Sequence, residues 1–300
     1  IEPDSLYADI AERALYNGLL SGISLNGKAF LYTNPLEIRP GYYHSDTSLK
    51  QNHRLAGTVT ERQEIFGCAC CPPNIARLIA SIGDILYTWD QDTLYVHHYM
   101  ASTADTLLNG KPVRIVQRTG YPRDGHVSLT VTGEGVRRAA LRVPGWCENC
   151  RFTVGGKPVH PIVEKGYAYI DLGAGETVID ADFAMDVRLM EANPRVAADA
   201  GRVAVQRGPV VYCLEAADNG PSLRDVRIDP AARYEAVPSE TYGVPVIETA
   251  GYRRKTEGYD TALYRPVSGE LEEVPLTFIP YFGFANRGES EMLVWVLKKS

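Results

Sequence analysis

The segment Cys68-Ala69-Cys70-Cys71-Pro72-Pro73-Asn74 places three of the chain's six cysteines within four residues. The neighbours Cys70 and Cys71 cannot easily form an unstrained disulfide with each other, because a disulfide needs separated and suitably directed Cβ atoms. Two adjacent thiolates are better suited to hold a soft metal, and zinc is the usual one. A structural zinc site and a nucleophilic thiolate are therefore both open interpretations of this pair.

A helix is predicted directly after the cysteines, over residues 74 to about 87. Pro72 and Pro73 suit the first turn of a helix, where a missing N–H costs little. Apolar residues then recur at three- and four-residue spacing, at Ile75, Leu78, Ile79, Ile82 and Leu86. The cysteines would lie at the helix N-terminus, whose partial positive charge favours thiolate over thiol.

Residues 1–89 are helical in character. A stripe formed by Leu6, Ile10 and Ala14 predicts a helix over residues 7–20, with Asp4 or Ser5 as its N-cap. Residues 28–32 are typical of a short strand within a long irregular stretch. Two helices with such an insert do not make a self-contained domain, so we interpret residues 1–89 as the end of a larger helical array.

From about Asp92 onward the pattern is typical of β-strands. Short alternating runs are separated by turn signals at intervals of roughly 8–12 residues, as in all-β sandwiches. Gly155-Gly156 is predicted to be a hairpin turn, Arg207-Gly208-Pro209 a sheet corner, and residues 291–297 a final strand. Residues 215–275 are predicted to be loop-rich. The predicted fold class is multidomain α+β, with a helical part at 1–89 and β-sandwich domains at 90–190 and 191–300.

Composition limits the class of partner. The 300 residues are 45% hydrophobic and 23% charged, with a net charge of −6, and no cluster of Lys and Arg stands out. We therefore expect neither nucleic acid nor an anionic membrane surface as a partner, and no apolar stretch of about 18 residues predicts a membrane span. The chain starts at Ile1, so we expect that its true N-terminus is absent. Clustered cysteines favour a reducing compartment, such as the cytoplasm.

Five strings along the chain, taken together, resemble glycoside hydrolase family 127, which contains bacterial β-L-arabinofuranosidases. The cysteine string is the most specific of them. The strings are Glu12-Arg13-Ala14-Leu15-Tyr16-Asn17, Phe30-Leu31-Tyr32-Thr33-Asn34-Pro35-Leu36-Glu37, Phe66-Gly67-Cys68-Ala69-Cys70-Cys71-Pro72-Pro73-Asn74, Gly201-Arg202-Val203-Ala204-Val205-Gln206-Arg207-Gly208-Pro209-Val210-Val211-Tyr212-Cys213 and Ile279-Pro280-Tyr281.

The resemblance implies that residues 1–89 are the end of an (α/α)6-barrel catalytic domain, followed by two β-sandwich domains. It implies a Zn2+ site of one Glu and three Cys, in which Cys70 is the nucleophile of a retaining glycosidase and Cys71 is a neighbouring zinc ligand. Glu12 and Tyr32 match positions that contact the sugar. The implied substrate is an oligosaccharide or plant-derived glycan with terminal β-L-arabinofuranosyl or related residues. A homodimer is the oligomeric state that we consider for the protein.

The resemblance also implies what the chain is expected to lack. The family's other two zinc ligands form a Glu-x-Cys motif that comes before the first helix of this chain, and its acid/base Glu comes earlier still. We therefore expect the chain to be the C-terminal part of such an enzyme and to be inactive alone.

Several simpler interpretations remain open. The chain could be a non-catalytic carbohydrate-binding or structural β-sandwich protein with a structural zinc cluster. Cys68 is interpreted as a packing residue, and Cys147-Glu148-Asn149-Cys150 as a surface loop with an occasional disulfide rather than half of a zinc site. Without the resemblance, Glu12 would be a solvated helix charge and Tyr32 a strand core residue. For Glu37, a structural role in a loop and a functional role are equal alternatives. His97 and His98 are interpreted as structural, because neighbours on a strand point to opposite faces.

Overall fold

The computed structural model describes residues 3–40, 60–64, 70–255, 263–264, 266–267 and 269–299. Within these residues the chain is mostly β-sheet with few helices. Contacts divide it into two units, each described here by itself. Unit 1 comprises Ile1–Tyr16 and Pro73–Asp186, and unit 2 comprises Asn17–Pro72 and Val187–Ser300.

The first helix, α1, spans Ser5–Arg13. Its N-cap is Asp4, whose side-chain oxygen accepts a hydrogen bond from the N–H of Leu6 at 2.9 Å, and this confirms one of the two predicted caps. The chain then continues through a π-helical segment, Ala14–Leu19, and a 3₁₀ turn, Leu20–Gly22. The predicted helix over residues 7–20 is therefore present but changes its hydrogen-bonding pattern after Arg13.

The buried face of α1 is not the predicted apolar stripe. Leu6 is 57% exposed and Ile10 is 59% exposed, whereas Ala8 and Glu12 are buried. Burial of a carboxylate on a helix requires partners for its charge, and those partners are described with the site below.

The second helix, α2, spans Cys71–Ala80, so the prediction that it runs from 74 to about 87 is wrong at both ends. Pro72 and Pro73 lie in its first turn as predicted. The helix stops where the Ser81 hydroxyl donates to the carbonyl oxygens of Arg77 and Leu78, at 3.1 and 3.3 Å. Such a bond offers the last carbonyls an alternative to further helical N–H donors. A 3₁₀ turn, Ile82–Ile85, follows, and a short helix, α3, spans Ala216–Asn219.

The described residues form 21 strands. They are β1 Glu37–Ile38, β2 Tyr87–Asp90, β3 Thr93–Val96, β4 Ser102–Leu108, β5 Lys111–Thr119, β6 His126–Gly133, β7 Arg138–Arg142, β8 Cys150–Val154, β9 Lys157–Val159, β10 Ile162–Glu164, β11 Tyr167–Asp171, β12 Glu176–Phe183, β13 Val187–Glu191, β14 Arg202–Arg207, β15 Val210–Glu215, β16 Val226–Ile228, β17 Tyr234–Val237, β18 Val246–Arg254, β19 Leu271–Pro280, β20 Met292–Leu293 and β21 Val296–Lys298.

Unit 1 contains two sheets, with strand orders β10-β11-β7-β3-β2 and β4-β5-β6-β12-β8-β9. The predicted alternation is confirmed in β6, where Val127, Leu129 and Val131 are buried. The predicted hairpin turn is confirmed between β8 and β9, where Gly155 and Gly156 have φ of 54° and 75°. Two consecutive positive φ angles are the signature of the tight turn that glycine favours.

Unit 2 contains one mixed sheet that includes β1, β13 to β16 and β18 to β21, with β17 paired to β18. The prediction that residues 215–275 are loop-rich is wrong, because β18 and β19 pair over eight residue positions, from Ile247 with Phe278 to Arg254 with Leu271. The predicted corner at Arg207-Gly208-Pro209 is instead the turn of the β14–β15 hairpin. The predicted final strand is divided into β20 and β21.

The core of unit 2 takes in residues from the first part of the chain. Leu31 and Ile38 are each 2% exposed and pack in a cluster with Ile279 and Phe284. The side-chain amide of Asn17 donates to the carbonyl of Pro209 at 2.9 Å. Residues 17–38 are therefore held by the sheet of unit 2. No helix in the described ranges is both long and apolar enough to cross a membrane.

Candidate functional site

Cys70 and Cys71 lie at the start of α2, as predicted. Cys70 is exposed and immediately precedes the helix, and Cys71 is its first residue. Their Sγ atoms are 3.9 Å apart. Two sulfurs bound at about 2.3 Å to one tetrahedral zinc would be about 3.8 Å apart, so the spacing fits the zinc that the resemblance implies. Cys68 lies outside the described residues.

These two sulfurs would supply only part of a zinc site. Among the residues that the structure describes, no group of three or more His, Cys, Asp or Glu side chains is placed to hold a metal ion. A tetrahedral site built on Cys70 and Cys71 therefore needs further ligands from outside the described ranges.

Glu12 is 2% exposed and lies within unit 1, surrounded by hydrogen-bond donors. Its Oε1 accepts from the hydroxyl of Tyr121 at 2.5 Å and from Nη2 of Arg142. Its Oε2 accepts from Nε1 of Trp146 at 3.1 Å and from Nη1 of Arg142 at 3.4 Å. Each carboxylate oxygen thus has two donors, which accounts for the roughly four acceptor positions of a carboxylate.

The guanidinium of Arg142, at the end of β7, organises this cluster. It is fully buried and also forms an ion pair with Asp9, with 2.6 Å between Nη1 and Oδ1. Its Nε donates to the carbonyl of His97 at 2.5 Å. Burial alone would lower the pKa of Arg142, but the Glu12 carboxylate, together with Tyr121 and Tyr99, raises it above its usual range. One buried cation from the sheet thus binds two carboxylates from helix α1.

Burial also keeps the phenol beside Glu12 protonated. The pKa of Tyr121 is raised well above its ordinary value, first by burial and then by the charge of Glu12. The hydroxyl of Tyr121 is therefore a hydrogen-bond donor to Glu12 at every pH at which the protein would work. The arrangement fixes the position of the Glu12 carboxylate.

Tyr32 and Glu37 lie in unit 2. Tyr32 is 36% exposed, so the structure places it at the surface of the unit rather than in its core. Glu37 forms an ion pair with Arg224. The hydrogen bond that Arg224 donates to the Glu37 carboxylate holds the pKa of Glu37 below its usual range. The structure therefore gives Glu37 a partner on the surface of unit 2.

The predicted site residues belong to different units. Tyr32, Cys70 and Cys71 belong to unit 2, and Glu12 belongs to unit 1. The structure brings the two cysteine sulfurs together and surrounds Glu12 with residues that the sequence analysis did not single out, namely Asp9, Tyr121, Arg142 and Trp146. One signal was available for Arg142, because it ends the apolar run Ala139-Ala140-Leu141 of a strand. If such a residue is buried with the run, it needs a partner for its charge, because arginine is almost never fully buried unless it is paired.

Cys147 and Cys150 are free thiols of unit 1, Cys147 in the loop before β8 and Cys150 as the first residue of β8. The thiol of Cys147 donates to the carbonyl of Asn149 at 3.1 Å. Burial, followed by the nearby Cys150, raises the pKa of Cys147 to about 11. Because a nucleophilic cysteine reacts as the thiolate, this raised pKa makes Cys147 poorly suited to act as a nucleophile.

Three family models match the chain in succession. They are the β-L-arabinofuranosidase GH127 catalytic domain at residues 1–84, the GH127 middle domain at residues 93–185 and the glycoside hydrolase family 127 C-terminal domain at residues 187–297. Together they account for nearly all of the sequence.

Known proteins of this family are similar in sequence and structure. A non-reducing end β-L-arabinofuranosidase of Bifidobacterium longum is 37% identical over 98% of this chain and 46% of its own length. The crystal structure of a GH127 β-L-arabinofuranosidase from Geobacillus stearothermophilus T6 is 43% identical, with a TM-score of 0.90 over 99% of this chain and 47% of its own. A solved GH127 β-arabinofuranosidase is 32% identical, with a TM-score of 0.81 over 99% of this chain and 46% of its own. The chain thus spans about half the length of these relatives.

Proposed function

The chain belongs to glycoside hydrolase family 127, and from this membership we propose that it is part of a retaining glycosidase that removes terminal β-L-arabinofuranosyl or closely related residues. The observation that carries the proposal is the pair of cysteine sulfurs, 3.9 Å apart at the start of α2. The names of the relatives supply the sugar class, and the substrate would be an oligosaccharide or plant-derived glycan. We further propose that residues 1–89 are the end of an (α/α)6 barrel, that the β regions are sandwiches and that a homodimer is the assembly.

Cys70 is proposed as the nucleophile. Its thiolate sulfur attacks the anomeric carbon and forms a C–S bond while the C–O bond to the leaving group breaks, and the leaving oxygen takes a proton from a general acid. Water then attacks the same carbon and gives its proton to the conjugate base of that general acid, while the C–S bond breaks and the thiolate is regenerated. Two displacements at one carbon retain the anomeric configuration. None of the described residues is assigned as the general acid.

Cys70 and Cys71 would hold the zinc, together with ligands from outside the described residues. When bound, zinc keeps sulfur in the thiolate form at neutral pH. The N-terminus of α2 favours the same charge state, because its first N–H groups carry partial positive charge. Fixing the sulfur at a helix start also restricts its approach to the anomeric carbon, and such positioning contributes much of the catalytic advantage of enzymes.

Tyr32 and Glu12 are proposed to help bind or orient the sugar. The half-exposed phenol of Tyr32 can donate a hydrogen bond to a ring substituent or to the nucleophile. Glu12 can contact a sugar hydroxyl only if that hydroxyl replaces one of its present donors, since both carboxylate oxygens are already paired. A carboxylate held in this way is better suited to orient the groups around it than to contact the sugar directly.

The test is hydrolysis of an aryl β-L-arabinofuranoside by the complete protein, with the anomer of the first product observed by NMR. We expect a retained product, and Cys70→Ser should lose nearly all turnover, because a hydroxyl is neither thiolate-like nor a comparable zinc ligand at neutral pH. Cys147→Ser, at the loop thiol of unit 1, is the matched control and should stay active. An inverted product, or an active Cys70→Ser variant, would contradict the proposal, and sugar binding without turnover would favour a carbohydrate-binding protein instead.

A further inference from the structure

The side chain of Arg62 joins two separate segments of unit 2. Its Nη1 donates to the carbonyl of Ser21 at 2.9 Å. Its Nη2 and Nε donate to the carbonyl of Phe284 at 2.8 and 3.2 Å, and Nη2 also approaches the carbonyl of Phe282 at 3.4 Å. The guanidinium carbon lies 5.4 Å from the centroid of the Phe284 ring, a contact that adds a cation–π attraction.

One of these two segments is anchored in the core. The 3₁₀ turn Tyr281–Gly283 directly follows β19, and Tyr281, Phe282 and Phe284 are all buried. The hydroxyl of Tyr281 donates to the carbonyl of Pro35 at 2.9 Å. The turn after β19 is therefore a fixed point from which Arg62 can hold other parts of the chain.

The other segment leads directly to Tyr32. Gln63, the next residue after Arg62, exchanges two backbone hydrogen bonds with Phe30, at 2.9 and 3.0 Å. The N–H of Leu31 donates to the carbonyl of Gly22 at 3.0 Å. Arg62 thus holds the 3₁₀ turn of residues 20–22 through its side chain and the backbone of residue 30 through its neighbour, and Tyr32 is two residues further on.

The charge of Arg62 suits this role. Burial lowers the pKa of Arg62 to about 10, with partial compensation by Glu215 and Tyr281, so the guanidinium is still a cation at neutral pH. The planar fork of five N–H donors can serve carbonyls on two segments at once, and it spans a wider and more rigid set of directions than the compact three-donor ammonium of a lysine.

We infer that Arg62 is a positioning residue, which holds the backbone around Tyr32 against the turn after β19. Through Arg62, the sheet of unit 2 thereby supports the position of Tyr32. The functional part of this inference rests on the proposed function, since it requires that Tyr32 donates a hydrogen bond to the sugar or to the nucleophile. The structural part does not depend on that function.

The experiment compares Arg62→Gln with Arg253→Gln in the complete protein. Arg253 is a matched control, because it also donates to three backbone carbonyls of unit 2, those of Asn219, Pro221 and Ser222. Hydrogen exchange is followed by mass spectrometry over residues 20–38, and kcat and KM are measured on the aryl β-L-arabinofuranoside. We expect Arg62→Gln to speed exchange over residues 20–38 by roughly tenfold or more and to lower kcat/KM by about ten- to a hundredfold. Arg62→Lys should be intermediate, and Arg253→Gln should leave both quantities near those of the unmodified protein.

The outcomes separate the two proposals. Unchanged exchange over residues 20–38 in Arg62→Gln would overturn the inference, as would an equal loss of kcat/KM in Arg253→Gln at a matched loss of Tm. If the unmodified protein does not hydrolyse the glycoside, the proposed function fails, and the exchange comparison still decides whether Arg62 holds this segment.

Discussion

Arg142 lies between Asp9 and Glu12, and its removal would leave the buried carboxylate of Glu12 and the partly buried carboxylate of Asp9 without their cation. We expect Arg142→Met to lower the free energy of unfolding of unit 1 by about 3–5 kcal/mol, the usual cost of breaking a buried ion pair from one side. Arg138→Met is the control in the same strand, because Arg138 pairs with Asp171 at an exposed site, with side chains 48% and 83% exposed. That change should cost about 1 kcal/mol or less. Urea unfolding of both variants measures the difference, and equal losses would contradict the account of Arg142.

At the scale of single residues, sequence predicted the location of the cysteine pair at a helix start better than the surroundings of Glu12. Cys70 and Cys71 are adjacent, so their shared location follows directly from the chain. Glu12 and Arg142 are 130 positions apart, and no local pattern indicates that a helix carboxylate will meet a strand arginine. The fold alone brings them together.

At the scale of elements, the turn between β10 and β11 meets the start of α1. Gly166 has a φ of 75°, and a Cβ built on it would lie 1.9 Å from the Ser5 hydroxyl oxygen. Lys165, in the same turn, accepts a hydrogen bond from the N–H of Ser5 at 2.9 Å. This close approach requires a glycine, for reasons of backbone conformation and of space.

We expect Gly166→Ala to destabilise unit 1 more than Gly156→Ala does. Gly156 has the same φ of 75° but no atom within 4 Å of the built Cβ, so it reports the conformational cost alone, about 1 kcal/mol. The additional loss in Gly166→Ala reports the displacement of α1. Thermal unfolding of the two variants measures this difference, and equal Tm values would show that the start of α1 is not held by this turn.

Sequence patterns predicted elements well where one face is buried and turn residues are clear, as in β6 and in the Gly155-Gly156 hairpin. They failed for β18 and β19. The exposed positions of β19 carry Glu272 and Glu273, and Pro275 lies within the strand, so the segment has the composition of a loop. It is a strand because its partner β18 supplies the ladder, and pairing of this kind routinely outweighs local preference.

At the scale of the whole molecule, we expect two histidines to make unit 1 sensitive to acid. Each ring nitrogen of His97 is hydrogen-bonded at 2.7 Å, one to Tyr167 and one to Thr88, and His98 is 3% exposed. Burial, followed by the charge of Arg142, lowers the pKa of each from its ordinary value of 6.5 to about 4. The unfolded chain therefore binds protons before the folded chain does. Stability from this source is complete above about pH 6.5 and is lost as pH falls towards 4.

We expect hydrogen exchange in β3, β7 and β11 to quicken between pH 6.5 and 4, after correction for the intrinsic effect of pH on exchange. His98→Phe removes one of the titrating groups and should reduce this pH dependence, whereas His160→Gln, at an exposed position, should not. A pH dependence that is identical in all three proteins would contradict the assignment to the buried histidines.

The division of the chain into units also lies at this scale, and sequence gave no sign of it. The described residues up to Tyr16 belong with the two sheets of unit 1, while the described residues between Asn17 and Pro72 belong with the sheet of unit 2. The cause is a set of contacts between distant positions, such as Glu12 with Arg142 and Asn17 with Pro209. Composition and periodicity describe neighbours along the chain, so they separate a helical part from β parts but cannot assign the helical part to its partners.

The central claim is that the sulfur of Cys70 becomes bonded to the sugar during turnover. The most direct measurement is peptide mass spectrometry of the complete protein, quenched with acid while it hydrolyses an aryl β-L-arabinofuranoside. The account predicts a pentosyl adduct on the peptide that contains Cys70, and no adduct in Cys70→Ser. An adduct on a carboxylate side chain instead would contradict the account. So would an active protein whose quenched Cys70 peptide carries no sugar under conditions that trap the adduct of a known cysteine glycosidase.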